Sequence, residues 1–555
     1  MKDTKNGYQK NSFFNKLKHI PESIGQYRQN HKEEISRVSV IICLSLILSV
    51  IIQEKIAVER FLGSFFLISI VLFICYKDIK RYKPAYLKDY KMLFLLGFLM
   101  TTTLLVSRFF SYLNEALQRG LNFPEGDGFI FGIPISFGAM LVTLIFDFHT
   151  AIIFSFVISL ITGIWLNEPF YLIYAFIGSL IAAFSAIKCK KRSSIIKGGL
   201  YVSAINIITV AIIFLIKEDF FSPETISAIF FAATSGVIVA ATVLIILPLI
   251  EYMFGVTTDI SLIELLDLEH PLMRNLMINA PGTYHHSVIV ANLAGTAAEA
   301  VGANPLLARV SAHYHDIGKI KMPEYFIENQ TGMVSKHEKL TPHMSSMIIM
   351  NHVKEGIELA KQHKLPHAVI EILQQHHGTS SIAYFYQKAK EKATDYPPMP
   401  EEYRYQGPKP QTRVAALVMM ADAVEAASRS LIDPTPARIS ALVEKIINNV
   451  FLDGQIDECE LTLKDLSEIK RRFTHILTII FHKRIAYPEV SEKDFYKKQR
   501  ITFPTESKGL ADKGSTMLLS VKDNGNTDNK QTTSGKDKPP ENKEPSQESS
   551  KSADI

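Results

Sequence analysis

The run His313-Tyr-His-Asp-Ile-Gly-Lys319 sets His315 beside Asp316 with Lys319 just beyond, and twelve of the seventeen histidines fall between His270 and His377. Imidazoles beside a carboxylate are ligands for first-row transition metals, and a carboxylate has two oxygens with which to bridge two ions. These residue types suit a dinuclear metal hydrolase.

Such ligands must be carried inward by the elements that bear them, and helical phase sorts the candidates. On a helix expected from near Tyr284, after a turn at Pro281-Gly282, His286 shares a stripe with Ile289, Val290 and Leu293, whereas His285 falls on the opposite face. From about Pro305 the small residues Ala308, Ser311 and Ala312 lead to His315, so this helix can approach its neighbours closely; His313 points elsewhere. Lys319, at i+4 from His315 and i+3 from Asp316, can reach a ligand bound over the same site.

Thr341 as N-cap and Pro342 at the first position open a helix that places His352 a turn beyond Ile348 and Ile349. A further helix opened by Pro366 runs through Val369, Ile372 and Leu373 to His376, His377 and the breaker Gly378. A last one, from Thr412, puts Asp422, Glu425 and Arg429 on the stripe of Val418 and Met419. A buried carboxylate without a partner is costly, so Asp422 needs a cation. One polar residue on an apolar stripe is ordinary core material, but six such positions on five successive helices call for a common partner.

The 555-residue chain is 47% hydrophobic, and the excess is concentrated before about residue 250. Eight apolar runs, at about 36–52, 61–76, 92–106, 128–145, 149–166, 170–187, 199–216 and 226–250, read as membrane spans. Lys77, Lys80, Arg81, Lys83, Lys88 and Lys91 crowd the second loop, and Lys188, Lys190, Lys191, Arg192 and Lys197 the sixth, while the loops between are nearly bare. Positive charge lies on the cytoplasmic side, which puts the basic N-terminus and everything after residue 250 in the cytoplasm of a multi-pass cell-membrane protein.

Topology thus explains the basic loops, and a net charge of +5 gives no reason to expect DNA or RNA. The clean apolar runs argue against transport, and Asp147 and His149 read as turn material between spans. No cleavable leader is visible in the polar first 35 residues. Cys43, Cys75, Cys189 and Cys459 show neither pairing nor metal spacing. Ser261-Leu-Ile-Glu264 reads as a capping box opening a short connector helix, with a second around Leu272 to Ile278. The Lys-, Ser- and Pro-rich end reads as a disordered tail.

The ordered set His286, His315-Asp316 and Asp422 resembles the H…HD…D pattern of the HD phosphohydrolase superfamily, an all-helical metal-dependent fold. PGTYHHS at 281–287, HYHDIGK at 313–319, ENQ at 328–330, QHHGT at 375–379 and ADAVEAASRSL at 421–431 resemble more closely its seven-transmembrane branch, whose best-known members are bacterial membrane-bound phosphodiesterases of cyclic di-AMP. The resemblance implies two divalent transition metals, manganese or iron. One would sit on His286, His315, Asp316 and Asp422, the second on Asp316, His352, His376 and His377, with Asp316 bridging.

The expected all-α organisation is a basic N-terminus (1–35), a membrane domain of about eight helices (36–250), a helical connector (251–280), an HD phosphohydrolase domain (281–495) and a cytoplasmic tail (496–555). Family members commonly place a large extracellular domain after the first span, where this chain has only about Gln53 to Arg60. A role as receptor for an extracellular ligand loses its basis, and a signal must enter through the spans, short loops or cytoplasm.

The reaction so implied is opening of the cyclic di-AMP ring to linear pApA by attack of an activated water, with Asp316 at its centre. Lys319 would offset the phosphorane charge, and Arg429 would contact the distal phosphate or else pair with Glu425 at i+4. Cyclic di-GMP or a guanosine tetraphosphate alarmone are rival substrates, although a GYP motif usual after the paired histidines of cyclic di-GMP hydrolases is replaced by Gly-Thr-Ser-Ser. A silent nucleotide-binding receptor would be expected to have degenerate ligands, and none is degenerate. The lipid bilayer is the other partner, and the sequence is compatible with a homo-oligomer.

Overall fold

A computed structural model describes residues 33–53, 57–88, 90–122, 126–330, 335–393 and 396–482. Most of the basic N-terminus and the whole expected tail lie outside these residues. Among the described residues regular structure is helical, with one isolated bridge between Ser381 and Arg404.

Eight segments are long and apolar enough to cross a membrane: α1 (Glu33–Ile51), α2 (Val58–Tyr82), α4 (Tyr90–Gly120), the stretch Gly128–Ile145, α6 (Phe148–Leu166), α7 (Pro169–Ala186), α8 (Arg192–Ile216) and α9 (Pro223–Phe254). A short helix, α3 (Ala85–Lys88), lies between α2 and α4. The chain is a multi-pass membrane protein.

The fourth span is broken. A 3₁₀ turn (Gly128–Gly132) and α5 (Ser136–Ile145) flank Pro134, which has no N–H to continue a helix. Irregular backbone at membrane depth survives only where protein covers it. This span is 78% buried against 22% for α1 and α2, and Tyr174 Oη donates to the freed Phe131 carbonyl at 2.5 Å. Small residues allow the close packing around it. A Cβ on Gly199 of α8 would lie 2.4 Å from the Gly236 carbonyl oxygen of α9. Asp147 caps α6 by accepting from the Thr150 N–H, and it also accepts from Tyr86 Oη.

The connector differs in detail from the sequence reading. The helix α10 (Asp259–Glu264) is capped by Thr258, three residues before the expected cap. Ser261 is the reciprocal N3 partner, because its short hydroxyl can reach back to the Thr258 N–H. Glu264, the carboxylate expected to close the box, instead pairs with Arg192 at the start of α8 (2.6 Å). The second connector helix is α11 (Pro271–Asn279). Pro281-Gly282 is not a turn. Pro281 occupies the first position of α12 (Pro281–Ala300), where a missing N–H costs nothing.

The remaining helices are α13 (Pro305–Tyr314), α14 (Pro342–Gln362), α15 (His367–Gln375), α16 (Ala383–Lys392), α17 (Arg413–Ser428), α18 (Pro436–Leu452) and α19 (Leu463–Ile480). They bury two apolar clusters. Val290, Leu293, Val418 and Phe473 join α12, α17 and α19, while Leu272, Tyr314, Leu359 and Leu373 join α11, α13, α14 and α15. Alternate faces of α13 serve both, Ala308 and Ala312 one and Val310 and Tyr314 the other.

Candidate metal centre

The small face of α13 brings its C-terminus into the middle of the domain, and the helix stops at Tyr314. Asp316 takes φ −108° and ψ 14°, and residues Ile317–Lys321 continue as a 3₁₀ helix. Side chains three apart eclipse in that geometry. Lys319 accordingly folds back over Asp316, with Nζ 2.7 Å from Oδ2. Backbone packing needs Gly318, because a Cβ there would stand 1.8 Å from the His352 carbonyl oxygen of α14.

All seven candidate ligands converge. Asp316, His352, His376 and His377 form one group and His286, His315, Asp316 and Asp422 another, with the donor atoms of each group within 4.8 Å of one another. Asp316 divides its oxygens between them. Oδ2 lies 3.2 Å from His315 Nε2 and 3.6 Å from His286 Nε2, and Oδ1 lies 3.3 Å from His352 Nε2 and 3.8 Å from His376 Nε2. Asp422 Oδ1 is 2.9 Å from His286 Nε2, and its Oδ2 is 3.6 Å from His377 Nδ1. His315, Asp316 and His376 are at most 1% exposed.

Hydrogen bonds fix which ring nitrogen faces the centre. The Nδ1 atoms of His315, His352 and His376 lie 2.8, 2.5 and 2.5 Å from the carbonyls of Ala312, Ile349 and Leu373, each three residues back. A carbonyl only accepts, so each Nδ1 carries a proton and each Nε2 points inward. Burial holds His352 and His376 below the usual imidazole range, hence neutral. Their Nε2 lone pairs then face each other across 3.3 Å, an arrangement that a cation between them relieves.

Neither oxygen of Asp316 nor His315 Nε2 makes a hydrogen bond of good geometry, although Lys319 is in ion-pair contact. Buried polar atoms of this kind require partners, and the donor set fits divalent metal ions. Burial opposes the charge on Asp316, but His315 and Lys319 outweigh it and hold the carboxyl well below the usual range. Burial likewise opposes the His315 imidazolium, yet Asp316 raises it to about 10.

Three neighbours were not assigned from the sequence. Glu425, one turn after Asp422, hydrogen-bonds His286 Nδ1 and is 1% exposed. Its other oxygen accepts from Arg429 Nε at 2.7 Å, so the i+4 pairing expected as the alternative for Arg429 is formed. Glu328, from the ENQ motif, accepts from Lys319 Nζ and from Thr283 Oγ1, both at 3.0 Å. Tyr405 stacks on His377 with ring centroids 4.2 Å apart. Only the i+3 spacing from Asp422 and the ENQ motif gave a signal for the first two, and nothing local marked Tyr405. His285 is exposed, as its helical phase implied.

A shared-carboxylate centre on five helices, behind a bundle of apolar spans, defines a membrane protein with an HD domain whose His/Asp cluster suits divalent metal ions. Residues 58–258 match the family described as "7TM receptor with intracellular HD hydrolase" and residues 283–427 match the HD domain. The chain belongs to the seven-transmembrane HD family.

It is 41% identical over 373 residues to the cyclic-di-AMP phosphodiesterase PgpH of Bacillus subtilis (strain 168), covering 65% of this chain and 52% of that protein. It is 36% identical over 447 residues to the protein of the same name from Listeria monocytogenes serotype 1/2a (strain 10403S), covering 79% of this chain and 60% of that one. The chain therefore spans little more than half the length of these relatives. The crystal structure of the L. monocytogenes PgpH HD domain in complex with cyclic-di-AMP is 47% identical, covers 39% of this chain and all of that one, and gives a TM-score of 0.37.

Proposed function

We propose that this protein is a membrane-bound, metal-dependent phosphodiesterase that hydrolyses cyclic di-AMP to linear pApA. The observation that carries the reading is the division of Asp316 between two ligand groups, Oδ2 to one and Oδ1 to the other. The substrate rests on the two relatives named cyclic-di-AMP phosphodiesterase. The soluble domain, about 281–495, would carry the reaction, with residues 36–250 in the bilayer and the connector 251–280 between them. The basic loops favour a cytoplasmic catalytic domain.

His286, His315, Asp316 and Asp422 would hold one ion and Asp316, His352, His376 and His377 the other, manganese and iron suiting this donor set equally. Two such ions lower the pKa of water and clamp both oxygens of an in-line phosphoryl displacement. Lys319 supplies the remaining positive charge. Burial works against its ammonium, but Asp316 and Glu328 raise its pKa so that it stays charged beside the phosphate. Arg429 is paired with Glu425, the role expected of it as the alternative to contact with the distal phosphate.

A cleft of about 260 Å³ adjoins His377 and is lined by Met347, Met350, Asn351, Gly378 and Tyr405. It is smaller than the usual volume for a whole ligand of this size, and would receive one nucleoside half while the phosphodiester sits over the carboxylate. Removing the metals with a chelator should abolish turnover and adding manganese should restore it. Undiminished turnover by thoroughly chelated protein would refute the metal-dependent reading.

A further inference from the structure

Four of the candidate ligands are histidines whose Nδ1 has a short partner, and one of the four differs. His315, His352 and His376 are each oriented by a carbonyl of their own segment, three residues back. His286 is oriented by Glu425, 139 positions away on another helix. Glu425 lies one turn from Asp422 on α17 and is itself held by Arg429 Nε at 2.7 Å. One face of α17 therefore carries both a ligand and the group that aims a second ligand. No other histidine at the centre depends on a remote side chain in this way among the described residues.

We propose that Glu425, fixed by Arg429, is the positioning residue for the ion held by His286, His315, Asp316 and Asp422. It holds a proton on His286 Nδ1, so that Nε2, 2.9 Å from Asp422 Oδ1 and 3.6 Å from Asp316 Oδ2, is the nitrogen left to bind an ion, and its negative charge would make Nε2 a stronger electron donor to that ion. A carboxylate behind a ligating imidazole acts in this way at many metal sites. The other ion has no such support, since His352 and His376 rest on neutral carbonyls. The two ions of the pair are thus tuned separately, with a carboxylate and an arginine behind His286 in one group and backbone carbonyls behind His352 and His376 in the other. The inference rests on the two-ion reading above and is independent of the substrate.

The test is manganese binding to the full chain in detergent, without nucleotide, by titration calorimetry, elemental analysis and electron paramagnetic resonance. Glu425→Ala should weaken one of two sites by about 10–100-fold and leave the other unchanged. At limiting manganese the bound metal should fall from two ions per chain to one, and the exchange-coupled spectrum should give way to that of isolated manganese. Glu425→Gln, which keeps an acceptor for the Nδ1 proton, should fall between Glu425→Ala and the wild type. Adding Glu425→Ala to His286→Ala should cost nothing further at that site.

Helicity by circular dichroism monitors folding, and if the alanine variant does not fold the glutamine variant carries the test. Equal weakening of both sites, unchanged binding at both, or additive losses in the double variant would overturn the inference. Two ions bound normally by the wild type with no nucleotide turned over would sink the phosphodiesterase reading instead and leave Glu425 in place.

Discussion

Lys319 Nζ lies 2.7 Å from Asp316 Oδ2 and 3.0 Å from Glu328 Oε1, so one buried ammonium joins the carboxylate shared by both ligand groups to a second carboxylate outside them. If that charge serves the phosphoryl group, Lys319→Met should lower kcat on cyclic di-AMP by about 10²-fold or more with a much smaller change in KM. Steady-state kinetics on protein with confirmed metal content measures this. A change confined to KM would assign Lys319 to uniform substrate binding.

The 3₁₀ segment after Asp316 presses on α14 at Gly318. A methyl group there would meet the His352 carbonyl oxygen at 1.8 Å and the Gly356 nitrogen at 2.6 Å, both backbone atoms that cannot rotate away. Gly318→Ala should destabilise the protein by about 1–3 kcal/mol and displace His352. Denaturant unfolding together with manganese titration should show loss of stability and weaker binding at one site. Wild-type values for both would contradict the packing described.

Metal binding should release protons. Asp316 raises the His315 pKa to about 10, so the ring is protonated at neutral pH, and coordination through Nε2 requires the neutral form. Burial already keeps His352, His376 and His377 neutral, the last with a pKa lowered to about 3, and they contribute no proton at pH 7. Affinity should therefore rise with pH up to about 10. Calorimetry in buffers of different ionisation enthalpy should give a net release, and a binding enthalpy independent of buffer would contradict it.

The connector is tied to the centre through Tyr314, the residue before His315. Its buried hydroxyl donates to the Leu265 carbonyl at the end of α10 (2.8 Å), whereas the Arg192–Glu264 pair between membrane and connector is about half exposed. Tyr314→Phe should cost about 1 kcal/mol of stability, and Arg192→Ala less, since exposed ion pairs contribute little. Chemical denaturation of the two variants in the same detergent ranks them. The reverse order would mean that the membrane-side pair carries the join.

The candidate ligands were legible because helical phase is local. His352, His376 and Asp422 each followed apolar residues a turn earlier and His286 preceded them by a turn, and each faces the core. The end of α13 was less legible, since the switch to 3₁₀ depends on the contact of Gly318 with α14, which the run HYHDIGK does not record. The connector cap was misplaced by three residues because Thr258 and Ser261 are both good capping residues, and only the reciprocal bonds decide between them. Glu425 was legible only as a partner for Arg429, and Tyr405 had no role, because His286 and His377 are distant from them in sequence. A carboxylate on a buried stripe tells that it has a partner, not which one.

The most direct test is to supply the full chain in detergent with manganese, or with ferrous iron under anaerobic conditions, and to incubate it with cyclic di-AMP, cyclic di-GMP and the guanosine tetraphosphate alarmone. Products are followed by chromatography. The account predicts conversion of cyclic di-AMP to pApA, abolished by chelator and by Asp316→Ala, which should lose both ions at once. No turnover of cyclic di-AMP with two ions bound, or near-normal turnover by Asp316→Ala, would contradict it.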